Sequence, residues 1–208
     1  MGLKLITAPL HMPITLAEAK AHMRVDGTAD DALIAGLIGS AVEAAQNITR
    51  RQLVTATYDY TFPGFPAATR GNPLAVLELP APPLQAVLGV YYVDSAGTEQ
   101  PLACGAYVVD TFSMVAGLSP VLGTSWPATQ AVPNAVRARF TCGWAMDASV
   151  SPPAWTGPES IKAWLLVRVA TLYEQREGVA VGSGYAVADV SRPFVDGLLD
   201  PYVIPMVV

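Results

Sequence analysis

TADDALIAGLIGSAVEAAQNITRRQLV, running from Thr28 to Val54, is the stretch that decides how the chain is organised. Apolar residues recur at Leu33, Ile34, Leu37, Ile38, Ala41, Val42, Ala45 and Ile48, the spacing of one wide face of an α-helix. Thr28 stands where an N-cap would, with Asp31 three residues on at the capping-box position. Asp30 and Asp31 suit the positive end of the helix dipole, and Arg50 and Arg51 the negative end. Gly36 and Gly39 each cost about 1 kcal/mol against alanine in a helix interior. A closely packed second helix would explain them, and so would a simply imperfect helix. A helix this apolar needs partners.

The rest of the chain is apolar too. Hydrophobic residues make up 52% of 208 residues and charged residues 14%, below the usual quarter. Such a surface suits a protein that hides much of itself in an assembly. A membrane protein does not fit. No run of about 18 uncharged apolar residues exists, and the best stretch, Ile161 to Tyr173, is broken by Lys162 and Arg168. The opening MGLKLITAPLHMPIT makes a poor signal peptide, and Ile6 stands where myristoylation needs Ser or Thr. Net charge is -5 with 12 basic residues and no basic stripe, so a nucleic-acid grip by counterion release is not expected. Cys104 and Cys142 are far apart, form no metal-ligand spacing, and are expected as small buried residues of a cytosolic chain, with a disulfide between them as the alternative.

Upstream of the long helix, residues 1 to 13 look extended. Thr15 and Glu18 make a capping box for a short helix whose stripe is Leu16, Ala19 and Met23, ended by Asp26-Gly27. His22 falls on its polar face. Downstream the period changes to two. Leu53 to Phe62 alternates strictly, followed by short strands at Leu74 to Leu79, Val87 to Val93, Thr98 to Leu102, Tyr107 to Thr111 and Val136 to Thr141. Asp94 to Gly97 reads as a hairpin turn. Residues 112 to 134 read as loop, with Trp126-Pro127 as a packed anchor. After the linker prolines Pro152, Pro153 and Pro158, helix resumes from Glu159 to about Glu177, with Ile161, Trp164, Leu165, Val169, Leu172 and Tyr173 inward. Residues 178 to 184, GVAVGSG, form a pliable connection to an apolar end.

The expected fold class is therefore α+β: a helical bundle core with an inserted small antiparallel β-rich subdomain. Its parts are 1–52 with 143–177 as the helical core, 53–142 as the β-rich insertion, and 178–208 as a C-terminal arm. A separate β domain after a two-helix hairpin is the rival arrangement.

No nucleophile elbow, P-loop, dinucleotide fingerprint, zinc motif or paired carboxylates can be drawn, so no catalytic, cofactor or metal residues are assigned. Gly182-Ser183-Gly184 follows no strand and reads as linker. Asp30-Asp31 is explained by the helix dipole. The aromatics Tyr58, Tyr60, Tyr91, Tyr92, Trp126 and Trp144 lack interleaved basic residues for a stacking platform.

ITLAEAKAHMRVDGTADDALIAGLIGSAVEAAQNITRRQLV resembles the opening of the phage head-tail connector (adaptor) family, in the branch of the phiE125 gp8-like and HK97 gp6-like proteins. LELPAPPLQAVLGVYYVDSAGTEQPL, GTSWPATQAVPNAVRARFTCGW, IKAWLLVRVATLYEQRE and DGLLDPY continue the resemblance in order along nearly the whole chain. Where that family has a basic ending, this chain has Val203-Ile204-Pro205. The resemblance implies a non-enzymatic head-completion protein of a tailed phage or prophage. It would form a homo-oligomeric, twelve-fold ring beneath the portal protein and extend the DNA channel toward a tail or stopper protein. DNA would pass without specific binding, no cofactor or membrane would be involved, and the protein would sit in the virion neck after assembly in host cytoplasm. A tail-completion or other neck protein is the alternative within that class, and a small hydrolase or ligand-binding domain the alternative outside it. Trp164, Arg168 and Tyr173 are the expected subunit-interface residues. Tyr202, Val203, Ile204, Met206 and Val207 are the expected contacts to portal or neighbour.

Overall fold

The computed structural model describes residues 1–175, 195 and 197–205. They form two compact units, one of residues 1–9 with 55–144, the other of residues 10–54 with those from 145 onward.

The first unit is built of strands: β1 (Gly2–Thr7), β2 (Ala56–Phe62), β3 (Leu77–Glu78), β4 (Leu84–Val93), β5 (Glu99–Leu102), β6 (Tyr107–Asp110), β7 (Gly117–Pro120) and β8 (Val136–Cys142). A five-stranded antiparallel sheet has the order β1-β2-β8-β4-β5, and a three-stranded one the order β3-β7-β6. The alternation in β2 sets the register. Tyr58, Tyr60 and Phe62 stand opposite Phe140, Ala138 and Val136, and this face joins Leu77, Leu79, Tyr107 and Leu118 in one hydrophobic cluster. The intervening residues, Asp59 and Thr61, stand opposite Arg139 and Arg137. Trp126 anchors its loop as its setting suggests: the ring stacks on Phe65 at 4.6 Å and its Nε1 donates to the Ala75 carbonyl at 2.8 Å.

β7 falls inside the stretch read as loop and is the middle strand of its sheet. GLSP shows no alternation, and Gly117 is there because a Cβ would overlap the Val76 side chain.

The second unit holds α1 (Leu16–Met23), α2 (Asp31–Thr49), α3 (Glu159–Glu174) and a two-stranded ladder of β9 (Met146–Asp147) with β10 (Ala154–Trp155). The capping box of α1 forms as its sequence requires: Glu18 N donates to Thr15 Oγ1 at 3.2 Å, and Thr15 N to Glu18 Oε2 at 2.7 Å. α2 starts later than Thr28 suggests. Asp30 is its N-cap residue, without a side-chain cap bond, and Thr28 contributes only its carbonyl, to Asp31 N at 3.2 Å. Ile34, Ile38, Ala41 and Ala45 of α2 are buried, as are Ile161, Trp164, Leu165 and Val169 of α3, and the three helices pack on one another. The Trp155 indole closes the unit, donating to the Leu53 carbonyl at 2.7 Å.

The expectation of a helical-bundle core with a small β insertion is overturned. Among the described residues there are three α-helices, one only eight residues long, against ten strands, and the five-stranded sheet with its own hydrophobic cluster is no appendage. The broad apolar surfaces of α2 and α3 suggested a bundle, but both helices leave part of that surface open. Leu33 and Ile48 are exposed, and Leu166 and Val167 half-buried. Gly36 and Gly39 likewise have no close neighbour among the described residues, since a Cβ at either would meet none of them within 4 Å.

Candidate assembly surfaces

Two ion pairs of the helical unit join its helices. Lys20 Nζ of α1 lies 2.6 Å from Asp31 Oδ1 of α2, and Lys162 Nζ of α3 lies 2.5 Å from Glu18 Oε1 of α1. The Tyr173 hydroxyl donates to Asp30 Oδ2 at 2.6 Å, tying the end of α3 to the start of α2. Asp30 and Asp31 thus do more than answer the helix dipole, and Tyr173 is half-buried within its own unit. Trp164 is 2% exposed, so its ring belongs to the interior. Arg168 is exposed and has no ion pair among the described residues.

The expected portal contacts divide. Met206 and Val207 lie outside the described residues, as do the 178–184 connection and Ser183. Tyr202 to Ile204 dock against the end of α2. Arg51 Nε donates to the Tyr202 carbonyl at 2.7 Å, Ile204 N donates to the Thr49 carbonyl at 3.1 Å, and Ser160 Oγ donates to the Tyr202 hydroxyl at 3.2 Å. Ile204 is buried and Val203 half-buried.

On the polar face of the five-stranded sheet, Arg139 binds Asp59 through two hydrogen bonds, Nε to Oδ1 at 2.7 Å and Nη2 to Oδ2 at 2.8 Å. Arg137 adds Asp59 at 3.5 Å and Glu99 at 2.9 Å, with its guanidinium 4.2 Å above the Tyr91 ring. The Arg139 hydrogen bonds hold the Asp59 carboxyl below the ordinary aspartate range. The charges answer each other, leaving no bare basic patch for phosphate.

A cleft of about 1030 Å³ in the β unit is lined by Phe62, Phe65, Leu74 and Val76 among others, and its carboxylates are Glu78 and Asp110. Asp110 is occupied: Phe112 N and Ser113 N donate to its Oδ1 at 2.9 and 3.2 Å, and Ser113 Oγ to its Oδ2, and these bonds, the Ser113 hydroxyl first, hold its carboxyl below the ordinary aspartate range. Among the described residues that leaves Glu78 as the cleft's one carboxylate without a hydrogen bond, and no histidine lines the cleft beside it. Burial pushes the Cys142 thiol up to about 12, so it is inert as a nucleophile at neutral pH. Cys104, expected to be buried, is exposed, and both cysteines are free. Among the described residues no three His, Cys, Asp or Glu side chains gather as metal ligands, and no helix is long and apolar enough to cross a membrane.

What the sequence did not single out is the apolar surface of the β unit. Leu3, Leu5 and Ile6 of β1, Val108 and Val109 of β6, and Phe112, Met114 and Leu122 are all exposed. The signal was present in YVVDTFSM, a β-prone run without lysine or proline.

Residues 13–91, under half of the chain, match the family model of the phage gp6-like head-tail connector protein. No curated protein matches the chain. Among solved structures, a chain in the virion of a native gene transfer agent particle superposes with a TM-score of 0.71 at 22% identity, covering 100% of this chain and 98% of that one. Chains in the neck of the empty particle computed with C6 symmetry and of the native particle computed with C12 symmetry give TM-scores of 0.70 and 0.71 at 22% and 20% identity, with the same coverage. The resemblance visible in ITLAEAKAHMRVDGTADDALIAGLIGSAVEAAQNITRRQLV is thus matched by the gp6-like head-tail connector model over residues 13–91, and the full length has the fold of chains in gene transfer agent particles.

Proposed function

We propose that this chain is a structural neck protein of a phage-like particle. It forms a homo-oligomeric, twelve-fold ring that docks under a portal protein, completes the head, and extends the DNA channel toward a tail or stopper protein. It carries out no reaction, assembles in the host cytoplasm, and resides in the virion.

The observation that carries the proposal is the coincidence of the gp6-like connector pattern over residues 13–91 with a full-length likeness to chains in particle necks computed with C12 and C6 symmetry. Physical features agree. A chain with 14% charged residues and exposed Leu3, Leu5, Val108, Phe112, Met114 and Leu122 has apolar surface to bury, and a head-to-tail contact that closes yields a ring. Twelve copies at -5 each would carry about -60, which disfavours a clinging contact with DNA in transit.

The test is co-sedimentation with the purified portal, with the mass of the complex read by light scattering. A complex containing about twelve copies per portal is expected. Binding to isolated tails but not to the portal would move the assignment to tail completion. A monomer that binds neither, and turns over an ester or phosphate substrate, would replace the proposal with a hydrolase.

A further inference from the structure

Sheet edges carry unpaired backbone N–H and C=O groups, and proteins usually guard them with lysine, proline, a bulge or a covering loop. β6 is an end strand of the three-stranded sheet, in regular register with β7 from Tyr107 to Asp110. Val108 and Val109 are exposed on alternate faces, and no lysine or proline interrupts residues 107–114. The chain beyond β6 is fixed rather than loose. The three hydrogen bonds accepted by Asp110 shape the turn that leaves Phe112 fully exposed, with Met114 exposed two residues later. An ordered turn that presents a phenyl ring to water gains nothing for its own subunit.

β1 is a fitting counterpart. It is an end strand of the five-stranded sheet, all six of its residues are exposed, and its bulge falls after Leu5, so Gly2 to Leu5 stay regular. The regular lengths of the two edges are equal. Their charges are complementary: Lys4 is the one charge of β1 and has no ion pair among the described residues, while Asp110 is the one charge of residues 107–114.

We infer that β6 and the Phe112 turn of one copy take the β1 edge of a second copy. The inference rests on the ring proposed above and names the surface that builds it. Two different edges of the same unit meet, so the contact is head-to-tail and repeats from copy to copy. Four-residue strands exchange few backbone hydrogen bonds, so Leu3 and Leu5 against Val109, with Phe112 and Met114 of the turn, supply the apolar part of the contact, and Lys4 meets Asp110 on the opposite face, beside Val108.

The test uses the full chain in three forms: the parent, Val108→Lys with Phe112→Ser, and Leu3→Lys with Leu5→Lys. Assembly is followed by light scattering across a concentration series with and without portal, folding by circular dichroism, and strand protection by amide hydrogen exchange. In the parent, amides of 3–5 and 108–110 gain protection on assembly. Each variant pair keeps its dichroism and raises the assembly midpoint at least tenfold. A parent that never assembles, even with portal, sinks the ring and this contact together. A parent that assembles alongside folded variants that do so equally well sinks the contact alone. Should a variant misfold, exchange in the parent decides: protection at 108–110 without protection at 3–5 means that something other than β1 covers β6, and the inference is wrong.

Discussion

Arg50 Nη1 donates a 2.7 Å hydrogen bond to the Ile204 carbonyl, joining residues 154 positions apart. Beside it, Ile204 N donates to the Thr49 carbonyl at 3.1 Å, satisfying one of the acceptors that the end of α2 leaves open. Tyr202 to Ile204 are therefore part of the helical unit. Ile204→Ala is expected to cost about 2 kcal/mol, a fall in melting temperature of about 5 °C for a chain of this length. Truncation after Tyr202 should cost at least as much in thermal melting. An unchanged melting curve for the truncated chain would contradict the docking.

Trp164 and Arg168 lie one turn apart on α3 and should separate folding from assembly. Trp164→Ala removes a ring that is 2% exposed and should destabilise the subunit by about 3–5 kcal/mol in denaturant titration. Arg168→Ala changes an exposed residue and should stay within about 0.5 kcal/mol of the parent. A stable Trp164→Ala protein that merely fails to assemble would return the indole to the subunit interface.

Asp59 and its two arginines make stability pH-dependent with a definite sign. The folded carboxyl sits below the ordinary range because Arg139, then Arg137, favour its charged form. Its contribution is therefore complete above the unfolded aspartate value, about 3.9, and is lost as pH falls through the lower folded value. Asp59→Asn should be less stable than the parent by about 1 kcal/mol at pH 7, a modest figure because the Arg139 side chain is 38% exposed. That difference should shrink steadily below pH 4. A gap that stays constant down to pH 2 would show that the pair contributes nothing through its charge.

Gly36→Ala and Gly39→Ala each place a methyl group where none of the described residues lies within 4 Å. In the unassembled subunit each should stabilise by about 0.5–1 kcal/mol, the ordinary gain of alanine over glycine in a helix. A loss of stability in the monomer would mean that α2 is more closely covered within its own chain than the geometry shows.

Local signals were legible in the sequence, and long-range pairings were not. The Thr15–Glu18 capping box, the apolar face of α2, the alternation of β2 and the turn from Asp94 to Gly97 into β5 each rest on neighbours a few residues apart. β1 pairs Leu3 with Tyr60 across the whole of α1 and α2, and nothing in GLKLIT names that partner. β7 was hidden because its four residues include a glycine and a proline. The error over the core followed from the same limit. Apolar periodicity measures how greasy a helix is, whereas the sheet unit gathers its core from strands that are individually short and far apart. For the candidate surfaces, sequence showed which residues are apolar but not that Trp164 turns inward while Phe112 turns to solvent.

The central claim is a ring. Electron microscopy of the full chain mixed with purified portal tests it most directly, by the symmetry of averaged end views. The account predicts a second ring of twelve subunits stacked coaxially on the portal, absent from images of the portal alone. Portal particles unchanged by a large excess of the protein would contradict it.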